Sequence, residues 1–347
     1  MRGKWTVGID FGGTMIKAGL VDPHGRVAAE RVLSSRAAGR PAQFLAAAVV
    51  LVETLAAGAG VRPRQLRGVG IGAPGPVDIE RGVVHTLVNV PGWREVPLRR
   101  ALERCFGCPC AVENDAKVFA LAEARFGAGR GTRHLIGVTL GTGVGSGLVL
   151  NGTLYRGASG AAGELGHTVI DPRGRQCGCG ARGCLEAHVG TEAILALARR
   201  AIRRRAGPLR TLAREARGRL SPELVSRAAE QGDAAARGVW VEVGRSLGVG
   251  LGNAVNLLNP ERIVIGGGVA NAWPFFLPSL LRTLRAQAME VSARTVRVVR
   301  ARLGARAGIV GAAVLVWNEA PGRSGPSIPS VGPSDKRGLT VRRKRRH

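Results

Sequence analysis

The 347-residue chain has no apolar run long enough to cross a membrane. Its longest, Phe44 to Val52, has nine residues, whereas a spanning helix needs about 20. The N-terminus carries Arg2 and Lys4 but reaches Asp10 too soon for the core of a signal peptide. A cytoplasmic location without a membrane partner is therefore expected. Lysine is also scarce: Lys4, Lys17, Lys117, Lys336 and Lys344 are the full set. None stands between glycine and Ser or Thr as in a Walker A loop, which excludes a P-loop kinase. The GIGAPG stretch at Gly70–Gly75 matches GxGxxG, but Pro74 and Pro76 break the helix that a dinucleotide turn must open.

Acidic residues are few as well, 24 against 51 basic, for a net charge of +27. Nearly all the bases are arginine, as in a chain from GC-rich coding. The excess is local. Residues 194–220 carry nine Arg and one Glu, and residues 320–347 carry eight basic residues and one Asp. A solvated helix face and a disordered basic tail account for both. Weak, non-specific attraction to nucleic acid, membrane phosphates or polyphosphate is the remaining reading. The length suggests about two domains.

Two glycine hairpins organise the chain. TVGID-FGGT-MIKAGLVD begins at Thr6, and LIGVT-LGTG-VGSGLVLN begins at Leu135. A shift of 129 positions aligns Gly12 with Gly141, Leu20 with Val149 and Asp22 with Asn151, which suggests two related α/β lobes. Between the hairpins the pattern predicts a helix (42–57), a strand (68–73), a Pro/Gly loop (74–97), a helix near 97–106, a strand (110–112) and a helix (116–126). Helical stretches follow at 191–217 and 222–258, then a strand (262–265) and a last helix (305–318).

Glycine turns let backbone N–H groups approach a phosphate because no Cβ intervenes. Gly12, Gly13 and Thr14 form one candidate cradle, and Gly141, Thr142 and Gly143 a second. Asp10 offers an oxygen ligand for Mg²⁺. The alternative is that these glycines merely tighten hairpins. His167, Cys177, Cys179 and Cys184 supply the one imidazole and three thiolates of a closed tetrahedral zinc site. The intervening CGCGARGC is too glycine-rich to order itself, so metal binding would order it. A disulfide would leave one Cys over and is disfavoured in the cytoplasm. Cys105, Cys108 and Cys110 include a CxxC spacing, but Cys110 enters an apolar strand and reads as core.

Asn114-Asp115 falls between a strand and a helix, where a carboxylate is held in place by the helix N-terminus. Plain N-capping is the simpler reading. Glu164 and Glu186 bracket the cysteine loop, and Asn89 sits in NVPGW. Together these side chains suit a polyol such as a hexose.

At this point the residues resemble the ROK family of sugar kinases and sugar-sensing repressors. The similarity runs over roughly residues 5–318 through DFGGTMIKAG, GAPGPVD, NVPGW, VENDAK, GTGVGSG with GASGAAGELGH, CGCGARGCLE and VIGGGV. The resemblance implies a two-lobed actin/hexokinase/Hsp70-like (ribonuclease H-like) α/β fold. One lobe would span 1–115 with the C-terminal helix near 305–319, and the other 116–304 with the zinc loop. It also implies ATP, Mg²⁺ and structural zinc, a homodimer, and a cleft binding ATP at Asp10, Gly12–Thr14, Lys17, Gly141–Gly143 and Gly266, Gly267 and Gly268. Asp115 would be the catalytic base. Gly75, Asn89, Asn114, Glu164, His167 and Glu186 would contact the sugar. The best-matching activity is phosphorylation of glucose to glucose 6-phosphate, in glycolysis. Kinases of N-acetylmannosamine, N-acetylglucosamine, fructose or mannose are alternatives, as is polyphosphate as donor. A regulator of this kind would carry a DNA-binding region before the first hairpin; with the first strand starting at Trp5, none is expected. Lys117 departs from the family's usual residue, and its role is left open.

Overall fold

The computed structural model describes residues 3–35, 39–87 and 92–318. Asn89 and the basic tail 320–347 lie outside them.

The chain opens with β1 (Thr6–Phe11), β2 (Met15–Val21) and β3 (Val27–Ser34), an antiparallel meander. Helix α1 (Pro41–Gly58) leads to β4 (Gly68–Ala73), which returns parallel to β1. The predicted Pro/Gly loop instead holds a small antiparallel sheet of β5 (Val77–Asp78), β6 (Val83–Thr86) and β7 (Arg94–Val96). These strands are too short to leave a periodic signal in sequence. Helix α2 (Leu98–Phe106) precedes β8 (Cys110–Asn114), parallel to β4. The first sheet therefore has the order β3-β2-β1-β4-β8.

Helix α3 (Asp115–Phe126) crosses to the second sheet. There β9 (Leu135–Leu140) and β10 (Val144–Leu150) form the second hairpin, extended by β11 (Thr153–Tyr155). The cysteine loop and a short helix α4 (Glu186–Val189) follow. The predicted stretch 191–217 divides into α5 (Thr191–Arg204) and α6 (Pro208–Glu215), parted by Gly207 and Pro208. The stretch 222–258 divides into α7 (Pro222–Glu230) and α8 (Ala234–Leu258), where Asp233 caps the new N-terminus. Strand β12 (Arg262–Gly266), helix α9 (Trp273–Gln287), helix α10 (Glu290–Thr295) and strand β13 (Arg297–Arg300) come next. The second sheet runs β11-β10-β9-β12-β13, the same arrangement as the first, with β9 parallel to β12 as β1 is to β4. The matched hairpins are thus the matching parts of two sheets of one design.

The chain ends its described part in α11 (Ala307–Asn318), which lies on β1 and β4 of the first sheet and against α3. Contact is this close because Gly8 and Gly70 face it. A Cβ on Gly8 would stand 1.9 Å from the Ile309 carbonyl oxygen, and one on Gly70 1.7 Å from that of Ala312. Val118, Ala120, Val310 and Val314 form a shared core between the two helices. Helix α1 packs Phe44, Leu51 and Leu55 into the first core. Although no unbroken apolar run is long, α1 has a mean hydropathy of 1.5 over 18 residues and could span a bilayer by length and composition alone. Eight of the nine arginines of residues 194–220 are exposed, and Arg210 hydrogen-bonds to the Ile202 carbonyl, so this segment is a solvated face as expected.

Candidate functional site

Asp115 stands at the first turn of α3, where the chain leaves β8 at the edge of the first sheet. Asn114 is the N-cap: its Oδ1 accepts from the amides of Ala116 (3.1 Å) and Lys117 (3.2 Å). Its Nδ2 donates to the Gly75 carbonyl at 3.2 Å, joining two residues expected in the sugar site. Asn114 therefore caps the helix, the simpler of the two readings, and in addition braces the Gly75 turn.

The Asp115 carboxyl is raised from 3.8 to about 6, chiefly because burial disfavours its charge. The hydrogen bond from the Ala116 amide works against the rise, while the carboxylates of Asp10 and Glu164 add to it. Those two neighbours come from distant parts of the chain. Asp10 closes β1 beside the first glycine turn, and Glu164 lies on the segment before the cysteine loop. Burial also raises the carboxyl of Asp10, and Lys17, its cross-strand partner on β2, counters this.

The two hairpin turns differ from the simple cradle expected of them. The Gly12 amide is engaged by the Met15 carbonyl (3.0 Å), and the Gly141 amide by the Gly143 carbonyl (3.0 Å). These two glycines close their turns, so the N–H groups left for a ligand belong to their successors. Gly13 and Thr14 are exposed, and a Cβ on Gly13 would meet nothing within 4 Å. Ser35 supports this turn from behind, its Oγ donating to the Gly12 carbonyl at 2.7 Å. Trp93 and Phe44 flank Phe11, with ring centroids 5.3 and 4.5 Å away. Sequence reasoning passes over these supports because only spatial neighbours reveal them. Gly266, Gly267 and Gly268 follow β12. Gly267 adopts φ +88°, and a Cβ there would fall 2.2 Å from the Leu140 carbonyl oxygen, so this turn abuts the second hairpin.

His167, Cys177, Cys179 and Cys184 converge, with all four donor atoms within 4.8 Å of one another. Cys179 Sγ and Cys184 Sγ are 3.7 Å apart, as are Cys177 Sγ and His167 Nδ1. A disulfide would require about 2.05 Å. Ligands of a tetrahedral zinc with bonds of about 2.3 Å lie about 3.8 Å apart, so the donor set fits that ion. Backbone pairing of Val169 with Cys184, and of Gln176 with Arg182, frames the loop. Glu186 meets both this cluster and the second turn. One oxygen lies 3.9 Å from Cys177 Sγ, and the other accepts from the Val144 amide at 2.9 Å. Cys108 and Cys110 are buried, consistent with the core reading for these two, whereas Cys105 is exposed.

A network that sequence inspection does not find lies behind Asp115. Glu113, 1% exposed, pairs with Arg156 Nε at 2.8 Å and accepts from the Asn114 amide at 2.8 Å. Lys117, 4% exposed, donates to the Gly160 carbonyl. The only local signal is a charged residue on either side of Asn114-Asp115.

The ROK family model matches residues 6–319. The chain belongs to the ROK family. A glucokinase of Halalkalibacterium halodurans is 35% identical over 317 residues, 91% of this chain and 96% of that protein. The crystal structure of a ROK family glucokinase from Streptomyces griseus, in complex with glucose and AMPPNP, matches with a TM-score of 0.77 and 35% identity over 90% of this chain and 98% of that one. A ROK family transcriptional regulator, a homologue of the E. coli MLC protein, matches with a TM-score of 0.78 and 29% identity over 90% of this chain and 78% of its own. The α/β architecture with two mixed sheets is thus the ROK fold, shared by kinases and regulators alike.

Proposed function

We propose that the protein is a ROK hexose kinase that transfers the γ-phosphoryl group of ATP to the 6-hydroxyl of glucose. The observation that carries this reading is the burial of Asp115 within electrostatic reach of two other carboxylates, Asp10 and Glu164, with its own carboxyl raised to about 6. A general base for a sugar hydroxyl needs a pKa near working pH and a fixed position. Similarity to glucokinases over nine-tenths of the chain supports the same activity.

In this reading the two sheets are the cores of two lobes, divided near residue 115, with α11 returning to the first. ATP lies between them. Its phosphates meet the amides of Gly13, Thr14, Thr142 and Gly143, with Lys17 nearby, and its adenosine packs by Gly266–Gly268. Glu164, His167 and Asn114 orient the sugar, with Glu186 and Asn89 as further proposed contacts. Asp115 accepts the proton of the attacking hydroxyl as the oxygen moves onto the γ-phosphorus and the bond to ADP breaks. The transition state is loose, so positioning and charge stabilisation dominate. Asp10 would hold Mg²⁺, which when bound neutralises charge on the phosphate oxygens. His167, Cys177, Cys179 and Cys184 would hold a structural zinc that stiffens the loop next to Glu186.

A coupled ADP-release assay across glucose, mannose, fructose, N-acetylglucosamine and N-acetylmannosamine, with ATP or polyphosphate as donor, tests the reading. Glucose with ATP is expected to give the highest kcat/KM. Sugar binding without turnover on any pair would instead favour a sugar-sensing regulator.

A further inference from the structure

Lys117 is costly where it stands. Its side chain is buried, 4% exposed, and its charge sits in the first turn of α3, at the positive end of the helix dipole. Burial lowers its pKa, and only the nearby carboxylates of Glu113 and Glu164 counteract this. Something must compensate such a cation, and the structure shows what it touches: the backbone carbonyl of Gly160.

Gly160 is the midpoint of the segment from Arg156 to Glu164. Gly157, Gly160 and Gly163 all take positive φ (71°, 78° and 92°), so the segment has little intrinsic preference for one path. Three side chains from outside hold it. Glu113, at the end of β8, grips Arg156 at its start. Ser146 on β10 donates to the Gly163 carbonyl and accepts from the Leu165 amide (3.1 Å) at its end. Lys117 holds the middle, and it is the one holder that belongs to the helix beginning with Asp115.

We propose that Lys117 is a positioning residue: through the Gly160 carbonyl it fastens the segment bearing Glu164 to the helix bearing Asp115, and so sets the spacing of the sugar site. This rests on the kinase reading above. Lys117 itself touches no reacting atom. Without the tether the glycine segment wanders and Glu164 loses register with Asp115. The phosphate turns are built on other supports and stay as they are.

The test compares wild type with Lys117→Met, Lys117→Gln and Lys117→Arg, reading sugar KM, ATP KM, kcat and backbone hydrogen exchange over residues 157–164. A charge-assisted hydrogen bond is lost in Lys117→Met, so sugar KM is expected to rise about tenfold or more. ATP KM should stay within about twofold, since no phosphate contact is involved. Exchange over 157–164 should accelerate without sugar present. Lys117→Gln, which keeps a donor, should fall between, and Lys117→Arg should restore most of the sugar affinity. Unchanged sugar KM and exchange overturns the proposal. So does a parallel rise of sugar and ATP KM with a lowered Tm, which marks a general packing defect. If Lys117→Met does not fold, Lys117→Gln carries the comparison. If wild type phosphorylates no sugar, the kinase reading fails, and exchange in the same variants still decides the tether.

Discussion

Glu186 accepts a hydrogen bond from the Val144 amide at 2.9 Å while its other carboxylate oxygen stands 3.9 Å from Cys177 Sγ. One side chain therefore links the second glycine turn to the cysteine cluster. The two sites proposed here, for metal and nucleotide, are mechanically joined.

Metal loss should reach the nucleotide for that reason. Cys179→Ser, or prolonged chelation, is expected to lower Tm by several degrees and to raise the KM of both sugar and ATP. Elemental analysis of the purified protein should find about one zinc per chain, and the zinc content of Cys179→Ser should fall in step with Tm. Wild type without zinc but with full stability would refute the assignment.

The raised carboxyl of Asp115 sets an acid limb. The proposed base would work only when ionised, so kcat/KM should fall below about pH 6, the value of that group. Substituting Glu164→Gln removes one of the charges that raise it, and the limb should move to lower pH. A limb that stays put in this variant would separate Glu164 from the base.

Stability should move the opposite way. A carboxyl whose pKa is higher folded than unfolded binds its proton more tightly in the native state, so its contribution is fully present below about pH 4 and is lost as pH rises through about 6. Asp115→Asn is therefore expected to raise Tm at pH 8, by a few degrees, and to have little effect at pH 4. Turnover should drop on the order of 10²–10⁴-fold with sugar binding retained. Thermal scans at the two pH values, beside steady-state kinetics, check both halves.

Glu123 offers a prediction about the joint between the sheets. This carboxylate is fully buried near the end of α3 and accepts from the amides of Ala128 (2.7 Å), Arg302 (3.1 Å) and Leu303 (2.8 Å). It clips together the two segments by which the chain passes between the sheets. Glu123→Ala strands three N–H groups and should cost about 2–5 kcal/mol. Chemical denaturation measures this loss, which should exceed that of Glu53→Ala on the exposed face of α1.

Much of this was legible in the residues, and the reasons differ by element. The two hairpins announce themselves because glycine, an alternating apolar strand and a polar end recur at one spacing. Asp115 stands out because a carboxylate follows a strand and opens a helix, a local relation. Strand β3 escapes because its residues are half exposed and include Glu30 and Arg31. Strand β13, RVVR, is too short, and α9 is masked by Pro274 and Pro278 within its span. The network of Glu113, Arg156 and Lys117 joins residues about forty positions apart, and no local period encodes such a meeting.

The seat of α11 on Gly8 and Gly70 bears on how the molecule is made. Strands β1 and β4 are made well before the helix that covers their glycine face, which begins only at Ala307. The first sheet cannot complete its cover until that helix has been made. The second sheet, whose strands and helices are contiguous in the chain, is free to fold ahead of it.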